Sequence, residues 1–196
     1  MGRVIAEITV SVDGFVAGPE VSAAQPMGLH GLRLHHWLGF GDTPPSAADL
    51  EVAGRMFANT GAFVLGRRLF DVGIGKWGGD GAWQRPCFVL TNRERSDHIQ
   101  GVTRFMFVTD GVRRAVDRAR AAAGGRDVVV AGGAQVIRAA MHAGLVEELR
   151  LHVAPVLLGA GTSLFDQGPR LELEPVLVES SAAVTHVTYR VPLPTG

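Results

Sequence analysis

From Val128 to Ile137 the chain reads VVVAGGAQVI. A β-branched run passes through two glycines straight into a helix-forming stretch, with no room for a loop. A strand that feeds a helix so abruptly suits a βαβ unit, because parallel strands need a crossover connection, most often a helix. The rest of the chain repeats the theme. Val4 to Val12 is an apolar first strand that stops at Asp13-Gly14. Ala62–Leu65, Pro86–Leu90, Phe105–Val108, Asp127–Ala131 and Glu148–Ala154 read as further strands. Ser46 is placed to cap a helix running to about Asn59, while Val112–Ala123 and Ala134–Ala143 are helical and followed by glycine stops. Two alternating segments near Leu171–Val178 and Ala183–Val191 have no helix between them and should form a hairpin or an antiparallel edge. Residues 18–46 carry Gly, Pro and His with no clean period, and a long loop is expected there. The expected fold class is α/β: a mostly parallel central sheet, helices on both faces, an antiparallel C-terminal hairpin, and a single domain over residues 1–196.

Composition narrows the function. Hydrophobic residues make up 46% and charged residues 19%, enough for a sizeable core. Lys+Arg and Asp+Glu are both 19, so no overall field gathers nucleic acid or an anionic membrane, and neither partner is expected. Cys87 is the single cysteine, which excludes an intrachain disulfide and suits a reducing compartment. The apolar start is broken by Glu7 and Asp13, so neither a signal peptide nor a spanning helix is read there and a cytoplasmic location is expected. The histidines show no metal-ligand spacing, and no metal is expected.

In open α/β sheets ligands bind beyond the carboxyl ends of the strands. Four such ends carry suitable turns: Asp13-Gly14, Gly66-Arg67-Arg68, Thr91-Asn92-Arg93 and Gly132-Gly133. The glycine pair would let a phosphate reach the backbone and the amides opening the next helix, or it serves only a turn that needs unusual dihedrals. Arg67 and Arg68 would grip a phosphate with their planar forks, or they lie on a solvated helix start. Taken with Arg93, the three elements point to a nucleotide with an extra phosphate, NADPH rather than NADH. His35 and His36, beside Trp37, either line a substrate pocket or lie on the surface. Asp13 is the polar group nearest the end of the first strand.

These segments together resemble the dihydrofolate reductase-like superfamily, with its three-layer fold. Within it the chain is most similar to the branch related to the reductase domain of the bifunctional riboflavin biosynthesis deaminase-reductase. The resemblance runs through ITVSVDGFVAG, GAFVLGRRLFD, PCFVLTNR and FVTDG into VVVAGGAQVIRAAMHAGLVEELRLHVAPVLLGAGTSLF. It implies NADPH in an extended pose. Gly66, Arg67, Arg68, Thr91, Asn92 and Arg93 would lie at the adenosine 2′-phosphate. Gly132, Gly133, Ala134, Gln135 and Val136 would hold the pyrophosphate, and Val12 to Ala17 would flank the nicotinamide. The catalytic carboxylate of dihydrofolate reductases falls in register with Leu50, between Asp49 and Glu51, and Ala131 stands where riboflavin-pathway reductases carry Glu. The expectation is an NADPH-dependent reductase that transfers a hydride to a C=N or C=O bond of a small molecule, in a homodimer. Asp13, His36, Asp49 and Glu51 are the acid candidates. The alternatives are 5-amino-6-(5-phosphoribosylamino)uracil reductase and a non-catalytic nucleotide-binding homodimer.

Overall fold

A computed structural model describes residues 2–166 and 170–192. In chain order the elements are β1 (Val4–Ser11), β2 (Phe15–Ala17), a 3-10 helix (Gly31–Leu38), α1 (Ala47–Ala58), β3 (Thr60–Gly66), α2 (Arg67–Gly73), β4 (Cys87–Leu90) and β5 (His98–Gln100). They continue with β6 (Thr103–Val108), α3 (Gly111–Ala122), β7 (Asp127–Gly132), α4 (Ala134–His142), β8 (Glu148–Ala154), β9 (Thr162–Ser163), β10 (Glu174–Ser180) and β11 (Thr185–Arg190). Nine strands form one sheet in the order β10-β11-β8-β1-β7-β3-β4-β6-β5. From β8 to β6 every neighbouring pair is parallel, while β11 runs antiparallel to both β8 and β10. The expected architecture is therefore present.

Strand alternation sorts the side chains into layers. Val4, Ala6, Val64, Val128 and Val130 pack against Ala115, Val116 and Ala119 of α3 and Ile137 and Ala140 of α4. On the opposite face Ile5, Phe63, Leu65 and Val129 pack with Phe70 of α2. Trp37, Val52 of α1 and Val184 form a smaller cluster. The helix from Ser46 is held by a reciprocal cap: Ser46 Oγ accepts from the Asp49 amide at 3.1 Å and the Asp49 carboxylate accepts from the Ser46 amide at 3.3 Å.

The structure corrects the loop expected over residues 18–46, because Gly31–Leu38 within it form a 3-10 helix. Gly31, Leu34 and Trp37 are its buried residues, spaced by three as a 3-10 helix requires. Three short strands also lay outside the sequence reading. They are β5, which pairs with β6, and the two-stranded β2–β9 ladder.

Candidate functional site

A cleft of about 840 Å³ opens across the carboxyl ends of β1, β7, β3 and β4. It brings together Ala17, Gly66, Arg67, Arg68, Thr91, Asn92, Arg93, Gly133, Ala134, Gln135 and Val136 from the predicted cofactor residues. Val12, largely exposed, and Gly132 do not line it.

The two glycines have different local reasons. Gly132 has φ +115°, which L side chains rarely adopt. Gly133 is extended, and a Cβ built on it would meet no atom of the described residues beyond its chain neighbours within 4 Å. Packing therefore does not account for its missing side chain, and the vacant space faces the cleft. Gly133 gives α4 no side-chain cap. The amides of Ala134 and Gln135 have no acceptor among the described residues, whereas Val136 and Ile137 both donate to the Gly133 carbonyl. Free amides at a helix start favour an anion.

The arginines are not equivalent. Arg67 Nε holds both carboxylate oxygens of Asp71, at 2.8 and 2.9 Å, and its guanidinium stacks over Phe107. Arg68 reaches only the Val21 carbonyl, at 3.4 Å, and the Arg93 side chain has no partner among the described residues. The Arg93 amide instead donates to Thr91 Oγ1, which fixes the turn after β4.

None of the four expected acids lines the cleft. Asp13 accepts from Ser11 Oγ at 2.6 Å and from the amides of Leu158 (3.1 Å) and Gly159 (2.7 Å), tying the end of β1 to the segment after β8. The Ser11 hydrogen bond, with help from those amides, holds its carboxyl below the usual range. Asp49 is 1% exposed and faces His186 Nε2 at 3.2 Å. Burial pushes its carboxyl up, but hydrogen bonds from Ser46, His186 and Ser181 outweigh that and keep it low. Glu51 is exposed and pairs with Arg55. His36 lies against Gly41 and lines a separate hollow of about 220 Å³ with Arg33 and Thr43. Its neighbour His35 is the histidine that faces the cleft. Burial, with the nearby His152, lowers the His35 pKa to about 4, so the ring is neutral at physiological pH. Thr9, Ile8 and Arg138 also line the cleft and were not singled out by the sequence.

The polar side of β1 continues away from the cleft. His152 Nδ1 lies 2.7 Å from His186 Nδ1, and His152 Nε2 lies 3.4 Å from Glu7 Oε1. Trp37 covers both rings, with centroids 4.6 and 4.9 Å away, and donates from Nε1 to Thr9 Oγ1 at 3.1 Å. Among the described residues no helix is long and apolar enough to cross a membrane, and no group of three or more His, Cys, Asp or Glu residues could hold a metal.

The chain is 24% identical over 189 residues to the uncharacterized protein YyaP of Bacillus subtilis (strain 168), covering 95% of this chain and 94% of that one. The crystal structure of a putative riboflavin biosynthesis protein from Shewanella sp. PV-4 superposes with TM-score 0.73 at 22% identity, covering 98% and 99% of the two chains. Dihydrofolate reductase from Enterococcus faecalis, complexed with NADP(H), superposes with TM-score 0.57 at 16% identity over 97% of this chain and 96% of that one. The fold is thus dihydrofolate reductase-like. The family model described as the RibD C-terminal domain matches residues 3–187, and the chain belongs to that family.

Proposed function

We propose that this protein is an NADPH-dependent reductase acting on a C=N or C=O bond of a small molecule. The observation that carries the reading is Gly133: the space for a side chain is vacant on the cleft side, beside two amides without acceptors among the described residues. A pyrophosphate would take those amides. Arg68 and Arg93 would hold the 2′-phosphate beside Thr91 and Asn92, with Arg67 already engaged by Asp71. Ile8, Val16 and Ala17 would flank the nicotinamide, at the β1 end. When bound, the reduced nicotinamide supplies a hydride to carbon, and one proton from solvent completes the reduction. The chain's own part is to align the two reactants and keep their reacting faces dry. The test is thermal unfolding with NADPH and with NADH. At 100-fold over Kd, a ligand bound only by the folded state adds ~2.7 kcal/mol, roughly 5–11 °C for a chain of this size. A rise with NADPH and little with NADH supports the reading. No rise with either leaves the fold and removes the function.

A second reading, reduction of 5-amino-6-(5-phosphoribosylamino)uracil, follows the activity in the name of a structural neighbour from Thermotoga maritima. It requires a cation for the ribosyl phosphate besides those serving NADPH. Arg138 lines the cleft but is already held by Asp166 at 2.9 Å and by the Ser163 and Leu164 carbonyls.

The homodimer is also a proposal. β10 is a sheet edge on which the consecutive Val176, Leu177 and Val178 are all exposed, so both of its faces present apolar side chains. A second copy of the chain would cover them. Light scattering should give twice the mass of one chain, and Val178→Glu should return it to the monomer value.

A further inference from the structure

We infer that the β1 end of the cleft is a subsite for an uncharged carbonyl or imine compound, which the Thr9 hydroxyl holds as hydrogen-bond donor. The inference rests on the reductase reading for what occupies the rest of the cleft. Thr9 is 6% exposed and lines the cleft. Its oxygen already accepts from Trp37 Nε1, and its own proton has no acceptor among the described residues. A buried hydroxyl proton left unpaired is costly, so the open role of Thr9 is to donate. The acceptor it suits is the oxygen or nitrogen of a polarised double bond.

The surroundings select against charge. Ile8, Val16 and Met27 supply apolar wall. His35 adds an imidazole whose Nδ1 is buried without a partner among the described residues and which is neutral at physiological pH. The free cations Arg68 and Arg93 follow β3 and β4, and β7 lies between those strands and β1. Sheet spacing puts β3 about 10 Å and β4 about 15 Å from β1. The remaining cations of the cleft, Arg67 and Arg138, are paired with Asp71 and Asp166. An anionic substrate group at this end would lose its water and gain no free positive partner, which is strongly unfavourable.

The experiment begins with NADPH binding by thermal shift, which tests the reductase reading alone. Protein loaded with NADP⁺ is then titrated at pH 7.5 with acetophenone and with 4-acetylbenzoate, a pair differing by one carboxylate. Saturation-transfer NMR supplies the affinities. Acetophenone should bind at least tenfold more tightly. Thr9→Val should weaken acetophenone roughly five- to tenfold, the value of one hydrogen bond, and leave NADP⁺ affinity unchanged. Thr9→Ser keeps the acceptor for Trp37 and should restore binding. Equal affinity for 4-acetylbenzoate, no binding of acetophenone, or identical behaviour of Thr9→Val and Thr9→Ser would overturn the subsite. If the protein ignores both nucleotides, the reductase reading fails, and the same titration on unloaded protein still decides the subsite.

Discussion

The cleft and the cluster behind Trp37 share a wall at Thr9 but treat polar groups in opposite ways. In the cleft the Ala134 and Gln135 amides and the Arg93 guanidinium have no acceptor among the described residues. In the cluster Asp49 answers both Ser46 and His186, and the two imidazoles meet at 2.7 Å, with Glu7 Oε2 and His152 Nε2 left without a hydrogen bond among the described residues. Unpaired donors on an open surface leave binding capacity for a ligand. Paired groups in a closed interior hold chain segments that are distant in sequence, here α1, β8 and β11. The contrast predicts that damage to the cluster reads out as stability and damage to the cleft as affinity.

The largest expected effect is on the closed side. Asp49→Ala removes the carboxylate that accepts from the Ser46 amide, the reciprocal half of the cap, worth about 1 kcal/mol, and leaves His186 buried without its acceptor, worth roughly 1–3 kcal/mol. The melting temperature should fall by about 6–12 °C, while NADPH affinity of the folded protein stays within a factor of two. Unchanged melting with lost affinity would place Asp49 in the ligand site after all. On the open side, replacing Arg68 and Arg93 together by Ala should weaken NADPH by about tenfold to a hundredfold and NADH hardly at all. Melting without ligand should not move. Equal weakening of both nucleotides would show that these arginines do not read the 2′-phosphate.

A smaller effect follows from His35, which stands at the boundary. Its pKa is lowered from 6.5 to about 4, so between those values the unfolded chain binds a proton that the folded chain refuses. Stability is therefore lost as pH falls through that window and is fully present above about 6.5. Because the ring borders the cleft, solvent reduces the effect, and roughly 2 kcal/mol is expected between pH 7 and pH 4. His35→Gln should flatten the melting temperature across that range. A variant with the same slope as the parent would assign the loss to other groups, such as His186, whose pKa burial also lowers.

What the sequence revealed and what it concealed follow from period and adjacency. The strands and the ligand turns were legible because β-branched runs and glycine pairs are local signals. The 3-10 helix was not, since Gly31, Leu34 and Trp37 repeat every three residues, a period that matches neither strand nor α-helix. The choice between His35 and His36 turned on the same point. One residue of rotation in that helix sends His35 to the cleft and His36 to the hollow beside Thr43. Asp49 was legible as an acid near the right register, yet its role depends on His186, 137 residues away. Thr9 carried no signal at all. One hydroxyl in an apolar strand gains meaning only when the Trp37 indole occupies its oxygen.

The smallest expected effect tests how protons are arranged in the cluster. Three contacts join Glu7, His152, His186 and Asp49 in a row, and the arrangement tested is the one in which the two rings carry two protons between them. Asp49 is ionised, so it takes a proton from His186 Nε2, which leaves His186 Nδ1 as an acceptor. His152 Nδ1 must then donate to it, and His152 Nε2 is bare where it faces Glu7 Oε1. Both atoms are acceptors, consistent with a 3.4 Å separation at which His152 Nε2 makes no hydrogen bond. Glu7→Gln places an amide N–H opposite the bare nitrogen at almost unchanged volume. It gives up the Glu7 charge beside Arg150, 3.6 Å away, a weak contact at that distance. The two changes nearly offset, so the variant should melt within about 2 °C of the parent, or above it, with a shift under ~0.5 kcal/mol. Glu7→Leu, which supplies neither donor nor acceptor beside His152 and leaves Arg150 to Glu148 alone, should melt clearly lower. If Glu7→Gln were as damaging as Glu7→Leu, the carboxylate would be needed as a charge, and His152 would have to be the imidazolium that carries the third proton.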